Sequence, residues 1–368
     1  MPQMLDSLPE LYRPLFPEFF RRSVPEEVKA TCASCAMCES SCQNPVAPVD
    51  GVSRFFRPDT KCCTYHPRLP NYLVGALLED PDPALAEGRR RIEEKLAARV
   101  GVTPQWVNPP AKYTLMYESA KRAFGRSTSL LCPYYERTQG SCTIWRYREA
   151  VCSTFFCKYV AGADGRKLWM TLKTYLSLVE IQLSRYAVLK LAPEYLHARR
   201  DRPEASSGTL LTAEDLDERG MPEEAYRQLW GEWVGREAQL YRESYALVRG
   251  LGAADLERLL GLDGVIELTV LERLYQAAVH PTLPRSLRLD PEATVRWMPD
   301  GSVALGSYSE NDAVALPGAA YELLVEFTGR ESVAQVRERL RTQKQADLGD
   351  DVLLELYRHR ILVEGGAR

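Results

Sequence analysis

All ten cysteines of this chain lie between Cys32 and Cys157, and the 211 residues after Cys157 contain none. That crowding constrains the fold more than any other feature. Apolar residues can share a core in many arrangements, but thiols that serve one centre must converge on it. With 368 residues, 45% of them hydrophobic, the chain is long enough to bury a core without cross-links. The opening segment "MPQMLDSLPELYRPLFPEFFRR" has no uninterrupted apolar stretch and no small-residue cleavage site, so it does not read as a signal peptide. The most apolar helical stretch, 167–191, carries Lys173, Glu180 and Arg185 and is too charged to span a bilayer. These features predict a cytoplasmic protein, in a compartment where structural disulfides are rare. A catalytic dithiol needs two thiols and not ten, which leaves metal binding as the expectation. The net charge of −3 gives no global pull toward nucleic acid or an anionic membrane.

The cysteines fall into three groups. Cys32, Cys35, Cys38 and Cys42 form a C-x2-C-x2-C-x3-C run. Ferredoxins use this spacing to gather thiolates on a compact inorganic centre, but there a proline follows at once, and here Pro45 comes three residues later. Zinc more often takes two separated C-x2-C knuckles. The second group is the adjacent pair Cys62 and Cys63, with His66 nearby. Vicinal side chains diverge in most backbone conformations, so the pair is expected to serve different metals or to leave one thiol as packing. His66 is read as a solvated loop histidine, with a ligand or supporting role as the sharper option. The third group is Cys132, Cys142, Cys152 and Cys157, four thiols across 26 residues and enough for one tetrahedral or cubane site. Thiolate-only ligation favours iron–sulfur or zinc over hard cations.

The rest of the chain reads as mainly α. Residues 1–30 suggest an extended arm anchored by Tyr12, Phe16, Phe19 and Phe20. Helices are predicted within 70–100, over 113–125 up to Gly125, and over 167–191. In the last, Leu168, Leu172, Tyr175, Leu176, Val179 and Leu183 form a core-facing stripe. A polar linker follows over 199–222, then a helix over 222–249 and a shorter one over 253–260. From 285 the pattern changes to short alternating strands, three helical stretches and a final strand at "ILVE". Ser332 and Gln335 fit a capping box. The expected organisation is a cysteine-rich, loop-rich metal domain with a helical body (1–200), linking helices that pack on it (201–284), and a small α+β winged-helix-like module (285–368).

The stretch "CPYYERTQGSCTIWRYREAVCSTFFC" (132–157) resembles the YkgJ-like family of zinc- or iron-chelating proteins, through Cys132, Cys142, Ile144, Arg148, Cys152 and Cys157. In that family the first half of the site is a short cysteine run ending in Cys-Cys. Here 19 residues separate the run from Cys62–Cys63, and the family's Arg-Pro is Arg148-Glu149. The flagellin lysine N-methylase family carries a related arrangement. The resemblance covers about residues 30–160 and implies metal chelation. Residues 285–365, with "AVAL" leading into a helix and "FTGRESVAQVRERL", resemble the PqqD-like peptide-recognition modules, which implies a peptide or protein partner bound by strand addition. Arg337, Arg339, Arg341 and Lys344 make a local basic strip. The module as a whole has 11 Lys and Arg against 14 Asp and Glu, which argues against duplex binding.

The sequence has no G-x-G-x-x-G after a strand, no G-x4-G-K-[ST], no H-E-x-x-H and no G-x-S-x-G. The expected function is therefore an iron–sulfur protein with one or two 4Fe–4S clusters, redox-active or peptide- or protein-modifying, its ligands drawn from the ten cysteines. The alternatives are a non-catalytic zinc-binding interaction protein and, by resemblance only, a protein lysine N-methylase-like enzyme.

Overall fold

The computed structural model describes residues 1–27, 37, 55–196, 211–306, 308–309 and 311–366. The thiols of Cys32, Cys35, Cys38 and Cys42 lie outside the described residues, as do the first half of the predicted linker and the domain boundary at 200. In chain order the elements are β1 (Leu69–Pro70), α1 (Asn71–Glu79), α2 (Ala86–Ala98), β2 (Trp106–Val107), α3 (Ala111–Ser119), β3 (Tyr135–Glu136), β4 (Ser141–Cys142), α4 (Ala150–Thr154), α5 (Gly162–Leu191), α6 (Ala213–Leu216), α7 (Glu223–Trp230), α8 (Glu237–Arg249) and α9 (Ala253–Val279). Then come β5 (Leu287–Leu289), β6 (Thr294–Trp297), β7 (Ser302–Gly306), β8 (Val314–Pro317), α10 (Gly318–Leu324), α11 (Val333–Lys344), α12 (Asp350–Arg358) and β9 (Leu362–Glu364). The fold is mainly α, with small antiparallel sheets. No described helix is long and apolar enough to cross a membrane.

The 30-residue α5 is the axis of the body. Its predicted stripe is buried, and Trp169 and Val188 join it in the interior. Helix α9 packs along α5, and α1 packs across α8. A Cβ on Gly75 of α1 would overlap the Tyr241 carbonyl of α8, so the absence of a side chain there sets how closely the two helices approach.

The arm is less extended than the sequence suggests. Its prolines alternate with short 3-10 turns at Met4–Ser7, Glu10–Tyr12 and Glu18–Arg21. These turns bring Tyr12, Phe16 and Phe20 onto one side. Tyr12 and Phe16 stack with centroids 5.0 Å apart, Phe20 lies 5.3 Å from Tyr175 of α5, and the Tyr12 and Tyr72 hydroxyls share a 2.7 Å hydrogen bond. The arm's end is tied by Glu27, whose carboxylate accepts from Val160 N (2.8 Å) and Trp169 Nε1 (3.0 Å).

Three predicted helix boundaries change. The helix expected over 113–125 ends at Ser119, and a 3-10 turn at Lys121–Ala123 leads to Gly125. The helix expected over 222–249 is broken into α7 and α8, because Gly231 and Gly235 adopt positive φ (55° and 79°). The short helix expected over 253–260 continues to Val279, bending at Gly261 (φ 58°, ψ −146°). Glycine permits each of these backbone reversals, and packing decides whether the helix resumes.

The C-terminal strands form a β6–β7–β8 meander and a separate β5–β9 pair, which share a core with α10, α11 and α12 built around Leu305, Leu324, Phe327, Leu340, Leu353 and Ile361. The predicted capping box is present: Ser332 Oγ accepts from Gln335 N at 3.3 Å, and Ser332 N donates to Gln335 Oε1 at 2.9 Å. This unit docks on the start of α5. Arg166 Nη1 donates to Tyr308 O (2.6 Å), and Gly162, at φ +57°, presses against the Arg358 carbonyl with no room for a Cβ. The basic strip on α11 is matched by carboxylates: Arg337 with Asp347, Arg339 with Glu326 and Glu331, Arg341 with Asp347, and Lys344 with Glu326.

Candidate metal centre

Three chain segments meet beside α5. The first holds Cys62 and Cys63, in a turn where Lys61 N donates to Arg57 O and Cys63 N to Thr60 O. The second is joined to it directly, because Cys132 N donates to the Cys63 carbonyl at 2.8 Å. Ten residues later the β3–β4 hairpin returns the chain. Gly140 turns at φ +62°, Glu136 accepts from Thr138 N and Gln139 N, and Tyr135 pairs with Cys142. The hairpin thus places Cys142 back beside Cys132.

The third segment begins at α4. Glu149 caps it, accepting from Val151 N (2.7 Å) and Cys152 N (2.9 Å), and Glu180 Oε1 of α5 accepts from Ala150 N (2.7 Å). Both carboxyls are buried, and burial pushes both upward from the ordinary range, Glu180 further because Glu149 bears on it. The pair fixes the position and direction of the first turn of α4, which carries Cys152.

A cavity of about 550 Å³ lies where the segments meet. Five of the six described cysteines line it: Cys62, Cys63, Cys132, Cys142 and Cys152. Beyond burial, Cys142 and Cys63 raise the pKa of Cys132, Cys63 raises that of Cys142, and Cys132 and Cys142 raise that of Cys152. Burial pushes Cys142 up to about 11 and Cys132 and Cys152 well above the ordinary thiol range. Cys63 is raised chiefly by its hydrogen bond with Cys62 and then by burial. The vicinal thiols therefore remain in contact, yet they pack differently. Cys63 joins Cys132 and Cys142 against the Leu69–Tyr241 core, whereas Cys62 packs with Cys157, Met37 and Phe56. Cys157 is buried and does not line the cavity. Met37 holds this corner by accepting from Phe56 N (2.7 Å). Among the described residues, no three His, Cys, Asp or Glu side chains close into a single-ion site.

Arg148, which the sequence offers only as part of a motif, lies half-buried in the cavity wall. Its guanidinium stacks on Trp145, 3.4 Å from the ring centroid, and donates to Trp145 O (2.9 Å), Cys152 O (3.1 Å) and Ser7 O (3.5 Å). Enclosure lowers its pKa from the ordinary guanidinium value, and Cys142, Cys152, Cys62 and Cys63 oppose that in part. On the far side of Cys132, His66 is buried rather than solvated, which corrects the sequence expectation. It sits edge-on to Tyr113 and Tyr134, and its Nε2 accepts from Lys95 Nζ at 3.0 Å. Burial and the Lys95 charge hold His66 down to about 2, so it is neutral, and burial lowers Lys95 to about 8. His66 does not line the cysteine cavity.

Arg148, Glu149, Glu180 and Lys95 were not singled out by spacing. The available signal was an Arg-Glu pair three residues before a cysteine, together with one glutamate on an otherwise apolar face of α5. Compared with protein-family models, curated proteins and solved structures, the chain finds no match.

Proposed function

We propose that this chain is an iron–sulfur protein, and that its cluster serves electron transfer or the modification of a peptide or protein. The observation that carries the reading is five thiols from three chain segments around one cavity, with the half-buried Arg148 guanidinium in its wall. Thiols gathered in such burial suit deprotonation by a bound metal, and the resulting thiolates would favour the charge of Arg148. The thiols stand round a space rather than meeting at a point, which suits a polynuclear centre better than a lone zinc ion. In this reading Cys63, Cys132, Cys142 and Cys152 hold one 4Fe–4S cluster. The other six cysteines, Cys32, Cys35, Cys38, Cys42, Cys62 and Cys157, are the proposed pool of ligands for a second.

The C-terminal unit is proposed as the partner-binding module, winged-helix-like and of the PqqD-like kind. Among the described residues β6 pairs in its sheet with β7 alone, and it exposes Val295 and Trp297. An open edge with apolar side chains is suited to an added peptide strand. The neutralised strip on α11 supports a protein or peptide partner over nucleic acid.

Anaerobic purification of the full chain tests the metal reading. The expected result is brown protein with broad visible absorption and iron and acid-labile sulfide in equal amounts. Colourless protein carrying zinc and no sulfide would replace it with the zinc reading.

A further inference from the structure

We infer that Arg148 is the internal counter-ion of the cluster held by Cys63, Cys132, Cys142 and Cys152, and that it raises that cluster's reduction potential. The inference rests on the iron–sulfur reading above and deepens it. All the hydrogen bonds of this guanidinium go to backbone carbonyls, those of Trp145, Cys152 and Ser7. The adjacent carboxyl, Glu149, accepts from the amides of Val151 and Cys152 and shares a hydrogen bond with the Cys152 thiol, and the Arg148 charge bears on it across space. The charge of Arg148 is thus held in place by neutral groups and by the face of Trp145, and it faces the cysteine cavity. Such fixation would be a poor way to build a structural ion pair. It is a direct way to keep one positive charge at a set place beside a centre whose own charge changes.

On reduction the cluster takes up one electron from a low-potential donor, no ligand bond breaks, and the centre becomes one unit more negative. A fixed cation in a weakly screening interior stabilises that reduced form more than the oxidised one. Removing the charge therefore lowers the potential. Other cations near the cavity are placed differently: Lys121, which also lines it, lies over the Tyr117 ring, Arg166 is engaged with Tyr308 O, Lys61 Nζ with Gly140 O, and Lys95 with His66 beyond Cys132.

The test is a dithionite titration of the full chain and of Arg148→Met and Arg148→Gln, after iron and sulfide have been counted in each. Glutamine retains a donor for the carbonyls and lacks the charge. The expected result is that both variants hold the cluster and that its reduced-to-oxidised ratio at fixed potential falls at least about tenfold, a shift of about 59 mV for one electron. A full complement of iron and sulfide with an unchanged potential would overturn the inference alone. If neither neutral variant holds the cluster but Arg148→Lys does, the requirement is for charge and the inference stands. If lysine fails as well, the guanidinium is a structural fork and the inference falls. Wild-type protein without iron and sulfide overturns the parent reading, and this one with it.

Discussion

Cys62 and Cys63 are covalent neighbours in hydrogen-bond contact, yet their side chains pack into different clusters. The sequence expectation that they serve different metals, or that one is packing, is carried by these differing contacts alone, since both thiols line the same cavity. Cys63→Ser should therefore remove the centre shared with Cys132, Cys142 and Cys152 and leave the other in place, whereas Cys62→Ser should do the reverse. Iron counts on the two single variants check this, and an identical loss in both would contradict it. His66 was misread for an equally physical reason. A loop histidine looks solvated until tertiary packing is known, and here Tyr113, Tyr134 and Lys95 enclose it.

His359 carries a pH dependence at the same scale. Burial alone would lower its pKa, but Asp312 and the Glu355 carbonyl outweigh burial, and the net shift is upward. Asp312 is shifted downward: burial opposes this, but His359 and Tyr308 overcome it. The contribution of His359 is fully present below the unfolded histidine value, about 6.5, and is lost as pH rises through its higher folded value. The contribution of Asp312 is present above the ordinary carboxylate range and is lost as pH falls. Unfolding of the C-terminal unit should thus become easier as pH rises above the ordinary histidine range, and His359→Gln should flatten that slope. Urea unfolding at a series of pH values reads both effects.

Among the elements, α5 was the most legible, because its apolar stripe repeats at helical spacing without interruption. The boundaries of α7, α8 and α9 were not legible. Gly231 ends a helix while Gly261 only bends one, and the difference lies in what each following segment packs against. Packing also decides the α1–α8 contact. Gly75→Ala would drive a Cβ into the Tyr241 carbonyl and should cost about 2 kcal/mol or more, measured by thermal or urea unfolding. A change within about 0.5 kcal/mol would show that the two helices can separate freely.

Across the whole molecule, the segment holding Cys62 and Cys63 meets the distant stretch holding Cys132, Cys142 and Cys152 around one cavity, while the run from Cys32 to Cys42 lies outside the described residues. The residues that make the cavity chemically distinctive were less visible. Arg148, Glu149 and Glu180 acquire their meaning only when the chain brings them together, and a charge in a sequence does not reveal its burial. The C-terminal unit has its own apolar core. Deleting 285–368 should accordingly leave iron and sulfide content unchanged while abolishing partner capture, and loss of metal on that deletion would contradict the division into units.

The most direct test counts iron and acid-labile sulfide per chain in anaerobically purified wild-type protein and in the Cys132→Ser, Cys152→Ser double variant. The account predicts equal iron and sulfide in the wild type, with one cluster's complement lost in the variant. A folded wild-type chain whose thiols all react freely and which carries neither iron nor sulfide would contradict it.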